Sequence, residues 1–127
     1  MCLENRVANE EKHLKRVERT KTAYKVFRKD GKRLLSLFYD KPFMRENLCS
    51  DLYSAGRRAG FYCYIYKKDA LAVMRRIGEY HGECKYVTKK VTINEVLGIG
   101  ICNVVSAENE PTAPVITTDS ILIPDLE

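Results

Sequence analysis

The feature that most constrains the fold is a run of aromatic and apolar residues, 61–66, that leads directly into a helical pattern. The run reads Phe-Tyr-Cys-Tyr-Ile-Tyr, and its period-two alternation predicts a strand. One face of this strand is apolar and the other consists of tyrosines: Phe61, Cys63 and Ile65 against Tyr62, Tyr64 and Tyr66. The tyrosine face suits stacking on a base, and its alternative use is packing under a helix or against a partner chain.

The helix that follows is predicted over residues 69–80, with Asp69 as its N-cap. Gly78 and Gly82 are expected to mark its end, because glycine commonly terminates helices. The stripe that is predicted to be buried consists of Leu71, Met74 and Ile77. A strand that runs straight into a helix indicates a fold in which both kinds of element share one core.

A hairpin is predicted before this unit. Residues 22–28 and 33–39 read as strands, and Asp30-Gly31 supplies the turn because glycine accepts positive φ without penalty. Further strands are predicted near residues 84–88, 95–105 and 115–123, with irregular segments over 43–58 and 107–114. Together these elements predict an α+β fold, in which one curved antiparallel sheet wraps around the helix at 69–80.

Residues 3–20 are rich in Glu, Lys and Arg and predict a charged N-terminal helix. Its apolar residues recur at helical intervals but form only a thin stripe: Leu3, Val7, Leu14 and Val17. Such a stripe stabilises an isolated helix poorly, so we expect the helix to lie on the domain surface or on a neighbouring subunit. The alternative is a solvated charge run with fraying ends. A length of 127 residues predicts a single domain, with a helix at 1–21 and an α+β body at 22–127.

The charge balance limits the classes of partner. Lys and Arg number 22 against 17 Asp and Glu, which gives a net charge of +5 and a mildly basic surface. Such a surface favours a discrete anionic ligand over duplex DNA, which needs a broader basic footprint. The sequence shows no signal peptide and no run of about 20 apolar residues, so we expect a soluble, cytoplasmic protein without a membrane partner.

Catalytic and metal-binding motifs are weak. His81 and Cys84 have a spacing that a metal or a nucleophile and base could use, but no second ligand pair or orienting group accompanies them. Gly98-Ile99-Gly100 is a fragment of a dinucleotide fingerprint, and the chain has no Walker lysine. The five cysteines are odd in number and widely spaced, unlike a disulfide framework. We therefore predict no enzyme activity, no cofactor and no metal.

What the residues do permit is binding of an anion that carries a base. Arginines that can hold phosphate through paired hydrogen bonds are Arg28, Arg57 and Arg58. Tyrosines that can stack on a base are Tyr62, Tyr64 and Tyr86, and amides that can read base edges or ribose hydroxyls are Asn94 and Asn103. The sequence thus predicts a pocket with one basic and one aromatic wall.

Three segments carry a resemblance to a known family. They are residues 23–28 with Asp30-Gly31, residues 34–39, and residues 60–64 followed by Asp69-Ala70. This arrangement, after a charged helix, resembles small phage proteins and looks most like the Thoeris anti-defence sponges. Those proteins sequester the cyclic ADP-ribose isomers that infected bacteria use as an alarm signal. The resemblance covers about residues 15–105 loosely and does not extend to residues 106–127.

The resemblance implies a non-enzymatic protein of the host-cell cytoplasm that binds its signal between subunits of a homo-oligomer, from a dimer up to a hexamer. It further implies that Arg28 and Arg57 hold phosphates, with Arg58 as a substitute for Arg57, and that Tyr86 or Tyr62 contacts the base.

Two other classes compete with this interpretation. One is a protein-binding phage inhibitor of the anti-restriction or anti-CRISPR type, which would use the tyrosine face against a macromolecule. The other is a small ADP-ribosyl-handling enzyme, which would require an acidic residue poised at a nicotinamide-like site. No motif assigns such a residue.

Overall fold

The computed structural model describes residues 9–37, 42–48, 60–80, 82, 84–103 and 112–126 of the chain. The helices are α1 (Glu10–Thr20) and α2 (Lys67–Tyr80). The strands are β1 (Thr22–Asp30), β2 (Arg33–Leu35), β3 (Glu46–Leu48), β4 (Phe61–Tyr64), β5 (Lys85–Ile93), β6 (Val96–Asn103), β7 (Thr112–Thr118) and β8 (Ser120–Leu122). The predicted α+β class is confirmed. In the part of the chain that the structure describes, neither helix is long and apolar enough to cross a membrane.

The strands form one antiparallel sheet of eight strands that does not close on itself. Its order is β3-β8-β5-β1-β4-β7-β6, and β2 pairs separately with β1. The longest pairing joins β1 to β5, from Thr22 opposite Thr92 to Lys29 opposite Lys85. The antiparallel sheet is thus confirmed, and its wrapping around the helix stays a prediction.

The predicted hairpin is present at the β1–β2 turn. Gly31 adopts φ +60°, a conformation that costs glycine little and other residues more. Arg33 pairs across the turn with Asp30 at 2.6 Å between Nη2 and Oδ2. Strand β2 ends at Leu35 rather than at the predicted residue 39, and residues 38 and 39 lie outside the described part of the chain.

The two faces of the sheet carry different cores. The face that contacts α2, here called the α2 face, presents Val26 and Tyr64, which pack against Ala70 and Val73 of the helix. The opposite face carries a larger cluster that includes residues from α1 and six strands: Val17, Ala23, Phe27, Leu34, Cys63, Val91, Ile93, Ile116 and Ile121. Because side chains alternate along a strand, both faces of β1 are occupied by core residues.

Helix α2 begins earlier than predicted. The amide N–H groups of Asp69 and Ala70 both donate to the carbonyl oxygen of Tyr66, at 3.1 and 3.3 Å. Tyr66 therefore occupies the cap position, and the prediction that Asp69 is the N-cap is wrong. Lysine forms helices well, so the two residues before Asp69 join the first turn instead of remaining outside it. Gly78 lies inside α2 and does not end it.

The buried stripe of α2 is also shifted from the prediction. Leu71, Met74 and Ile77 are all half-buried, and of these Met74 and Ile77 pack against the core as predicted, whereas Leu71 is not part of that cluster. The most deeply buried residues of the helix are Ala70 and Val73. Their small side chains let the helix approach the tyrosine and valine side chains of the sheet closely, which hydrophobicity alone does not reveal.

Several strand boundaries differ from the prediction because long-range contacts set them. Strand β3 was missed inside the segment 43–58, where it is three residues long and pairs with the distant β8. Strand β5 extends through Ile93 because it pairs along all of β1. The predicted strand 115–123 is two strands that meet at Asp119, whose carboxylate accepts the Glu95 N–H at 3.0 Å.

Helix α1 confirms the C-terminal part of the predicted N-terminal helix. Val17 is fully buried in the larger core, and Leu14 is half-buried. Residues Asn9 and Lys21, at the two ends, adopt the left-handed conformation. Leu3 and Val7 lie outside the described residues, as does the larger part of the segment 107–114.

Candidate functional site

Two of the predicted ligand-binding residues lie directly opposite each other. Arg28 on β1 pairs in register with Tyr86 on β5, so their Cβ atoms are about 4.5–5.5 Å apart. Both lie on the α2 face, and both side chains are half-buried. The sheet therefore places a guanidinium beside a phenol ring at the end of β1 that leads into the hairpin.

Tyr62 shares the α2 face with this pair. It lies two residues before Tyr64, which faces α2 and is opposite Tyr24 of β1. Residues two apart on a strand point to the same side. Tyr62 is half-buried. Three of the predicted residues, Arg28, Tyr62 and Tyr86, thus lie on the same side of the sheet, and we call this set the Arg28 face.

The tyrosine row of β4 does not act as one surface. Tyr64 is 3% exposed and belongs to the core under α2, so it is not available for stacking on a base. Tyr66 lies beyond the end of β4 and contacts α1 instead. For Tyr64, packing under a helix is the correct interpretation, so Tyr62 and Tyr86 are the predicted stacking residues that remain candidates.

The structure does not bring Asn94 to the Arg28 face. Asn94 is exposed in the turn after β5. Its side-chain Nδ2 donates to Oδ2 of Asp119 at 3.2 Å, and its backbone carbonyl oxygen accepts from the Lys21 ammonium at 3.3 Å. It lies eight residues along the chain from Tyr86, a span of about 26 Å on an extended strand. Asn94 therefore stabilises a turn, and it lines a separate groove of about 300 Å³ beside β3 and β8.

The other predicted residues fall wholly or partly outside the described part of the chain. Arg57 and Arg58 lie outside the described residues, as does His81. The backbone of Asn103 ends β6 opposite Thr112, and its side chain is not described. Among the described residues, no group of three or more His, Cys, Asp or Glu side chains could hold a metal ion.

A lysine on the opposite face of β1 was missed by the sequence interpretation. The ammonium of Lys25 donates to the Tyr62 carbonyl at 2.9 Å and lies 6.0 and 5.8 Å from the ring centroids of Phe27 and Phe43. Burial lowers the pKa of Lys25, and burial raises the pKa of the neighbouring Cys63 thiol to about 11. The carbonyl and the two rings partly replace the water that this charge loses.

The raised pKa should make Cys63 a slow nucleophile in the folded protein. At pH 8, a shift from 9.0 to about 11 lowers the thiolate fraction about 100-fold. A more basic thiolate is more reactive, so the net rate of alkylation should fall at least about tenfold. We expect iodoacetamide to modify Cys63 that much more slowly in the native protein than in urea, measured by peptide mass spectrometry. Native Cys84, which is half-buried, is the control, and equal rates at Cys63 in both states would contradict the assignment.

A second concave surface lies against α1. It has a volume of about 690 Å³ and is lined by Glu11, Lys12, Lys15, Arg16, Arg19 and Tyr66. The sequence predicted these charges only as part of a charged N-terminal helix, lying on the domain surface or a neighbouring subunit or else solvated. In the structure these charges surround the ring of Tyr66, which is distant from α1 in the sequence. Their spacing within α1 could not predict this arrangement.

Comparisons with protein families, curated proteins and solved structures found no match to this chain.

Proposed function

We propose that this protein binds a small nucleotide signal, such as a cyclic ADP-ribose isomer or another cyclic nucleotide, and sequesters it without cleaving it. The observation that carries the proposal is the pairing of Arg28 with Tyr86, with Tyr62 on the same face. A guanidinium holds phosphate through two parallel hydrogen bonds, and a tyrosine ring offers a face for stacking. A nucleotide supplies both groups at once.

The position of Arg28 supports tight binding. Strand β1 pairs with β2, β4 and β5, which makes it the most extensively paired strand among the described residues. A residue on such a strand is already fixed in place before the ligand arrives. Less conformational freedom is then lost on binding, and this favours the affinity that a sequestering protein needs.

The finer features of the proposal follow the resemblance to the Thoeris anti-defence sponges. In this view the chain is a phage protein of the host-cell cytoplasm, and its curved sheet wraps around α2. Subunits of a homo-oligomer, from a dimer up to a hexamer, complete the ligand site between them. Arg57 or Arg58 would then contact a second phosphate.

A protein-binding inhibitor of a host defence system is the second candidate. The observation that favours it is an apolar surface at the β3 edge, where Met44 is 68% and Leu48 is 85% exposed. Strand β3 ends the described sheet, and an unpaired strand edge can accept a strand from another protein.

The two candidates predict different results with the purified protein. We expect calorimetric titration to detect binding of one member of a panel of cyclic nucleotides that includes cyclic ADP-ribose isomers. After heat denaturation of the complex, mass spectrometry should recover that ligand unchanged. Recovery of a cleaved product would replace sequestration with enzyme activity. Indifference to every nucleotide, together with co-purification of a host protein, would favour the inhibitor.

A further inference from the structure

Helix α1 carries a row of cations on one side. Lys12, Lys15, Arg16 and Arg19 follow the spacing i, i+3, i+4 and i+7, which places them on one helical face. All four side chains are exposed. Seven residues at a rise of about 1.5 Å give the row a length of about 10 Å. The row is short and linear, unlike a broad basic surface.

The ring of Tyr66 lies beside this row of cations and lines the same groove. The Arg16 guanidinium carbon lies 5.1 Å from the centroid of the Tyr66 ring, and the Lys68 ammonium lies 5.8 Å from it. The Tyr66 hydroxyl is hydrogen-bonded to Nδ1 of His13 at 2.8 Å, which fixes the ring against the helix. The cations are therefore arranged around an anchored aromatic residue rather than scattered in solvent.

The row lacks neutralising partners within the described residues. The ion pairs found there involve Arg33, Arg76 and Lys89, and none involves the four cations of α1. Glu11 lines the groove at the N-terminal end of the row. Four neighbouring like charges repel one another, and an anionic ligand would relieve that repulsion.

We propose that the α1 groove binds the backbone of single-stranded nucleic acid. A linear row of exposed cations suits an extended polyanion better than a small ligand, which is usually enclosed by apolar walls. At about 3.4 Å per phosphate along a stacked strand, the row covers about three phosphates. A duplex presents charge over a wider surface than this row can contact.

This site is independent of the proposed nucleotide site. The α1 helix packs through Val17 on the face of the sheet opposite α2, whereas Arg28 lies on the α2 face. The Arg28→Ala variant should therefore leave binding at the α1 groove unchanged, so the two proposals succeed or fail separately.

The experiment measures binding of fluorescent oligo(dT) to the full chain by anisotropy, between 50 and 200 mM salt. With about three phosphates neutralised, the logarithm of the binding constant should fall with the logarithm of salt at a slope of about −2. That slope corresponds to about a 15-fold weakening across this range. The double variant Lys15→Gln/Arg19→Gln should bind at least about tenfold more weakly at 50 mM salt, with a slope near −0.7.

The matched control is Lys29→Gln/Lys32→Gln, which removes the same charge from exposed positions at the β1–β2 turn. It should bind oligo(dT) within about threefold of the unchanged protein, because its lysines are remote from α1. Glutamine preserves helix propensity, so α1 should remain folded, and circular dichroism checks this. Equal losses in both double variants would overturn the proposal. So would absence of binding, an unchanged slope in the α1 variant, or equal binding of duplex DNA or a polyglutamate peptide.

Discussion

Replacing Phe27 by alanine should lower the free energy of unfolding by about 3–5 kcal/mol. Phe27 is fully buried on the face of β1 opposite α2, and its ring meets the Phe43 ring edge-on with centroids 4.9 Å apart. Removal of the ring eliminates both the buried apolar area and the aromatic contact, and it leaves a cavity. The loss would be a large part of the total stability of about 5–15 kcal/mol for a typical domain.

Urea denaturation followed by circular dichroism measures this change. Phe27→Leu is the matched control, because leucine retains part of the packing and should cost clearly less than alanine. If the alanine variant does not fold, the leucine variant still reports on the site. A cost below about 1 kcal/mol for alanine would contradict the assignment of Phe27 to the main core.

Replacing Arg28 by alanine should weaken nucleotide binding by about 1.5–3 kcal/mol, or about 10- to 150-fold. The reason is the loss of a charged, two-point contact with phosphate, which no nearby residue of β1 or β5 is placed to restore. Arg28→Lys should recover only part of the affinity, since an ammonium keeps the charge but not the paired hydrogen bonds. Calorimetry with the ligand identified for the unchanged protein gives the measurement.

The control for this experiment is Lys29→Ala. Lys29 is exposed and adjacent to Arg28 on the same strand, so it lies on the other face and should not change affinity. Thermal unfolding of each variant is needed, because Nε of Arg28 is buried and its removal also affects packing. A folded Arg28→Ala protein with unchanged affinity would exclude Arg28 from the site.

The elements that the sequence predicted correctly are those that depend on residues close together in the chain. The β1–β2 turn was correctly placed because Gly31 alone satisfies a positive φ at that point. The strand at β4 and the helix α2 were correctly identified because hydrophobic periodicity changes sharply between them. By contrast, β3 has no periodicity of its own and exists because β8 pairs with it. The N-cap of α2 was wrongly predicted because Asp69 is a residue type that commonly caps helices. In the structure, the backbone carbonyl of Tyr66 accepts the first hydrogen bonds of the helix instead.

The candidate site was predictable in composition but not in arrangement. An arginine and tyrosines can be recognised as suitable for a nucleotide, yet the register that places Arg28 opposite Tyr86 depends on pairing between distant segments. The same limit explains why Asn94 was grouped with residues at the far end of β5. The same limit explains why the contacts of Lys25 were missed. Its ammonium donates to the Tyr62 carbonyl and lies near two aromatic rings, on a face of β1 that is otherwise apolar.

The strand order has a further consequence for how quickly the chain reaches its native state. Among the described strands, only β1–β2 and β6–β7 join strands that are consecutive in the sequence, and every other pairing closes a long loop. Folding dominated by such non-local pairings is slow, on a scale of milliseconds to seconds. Among the described strands, β3 pairs only with β8, so its backbone edge has no partner until residues 120–122 have been synthesised and are free to fold.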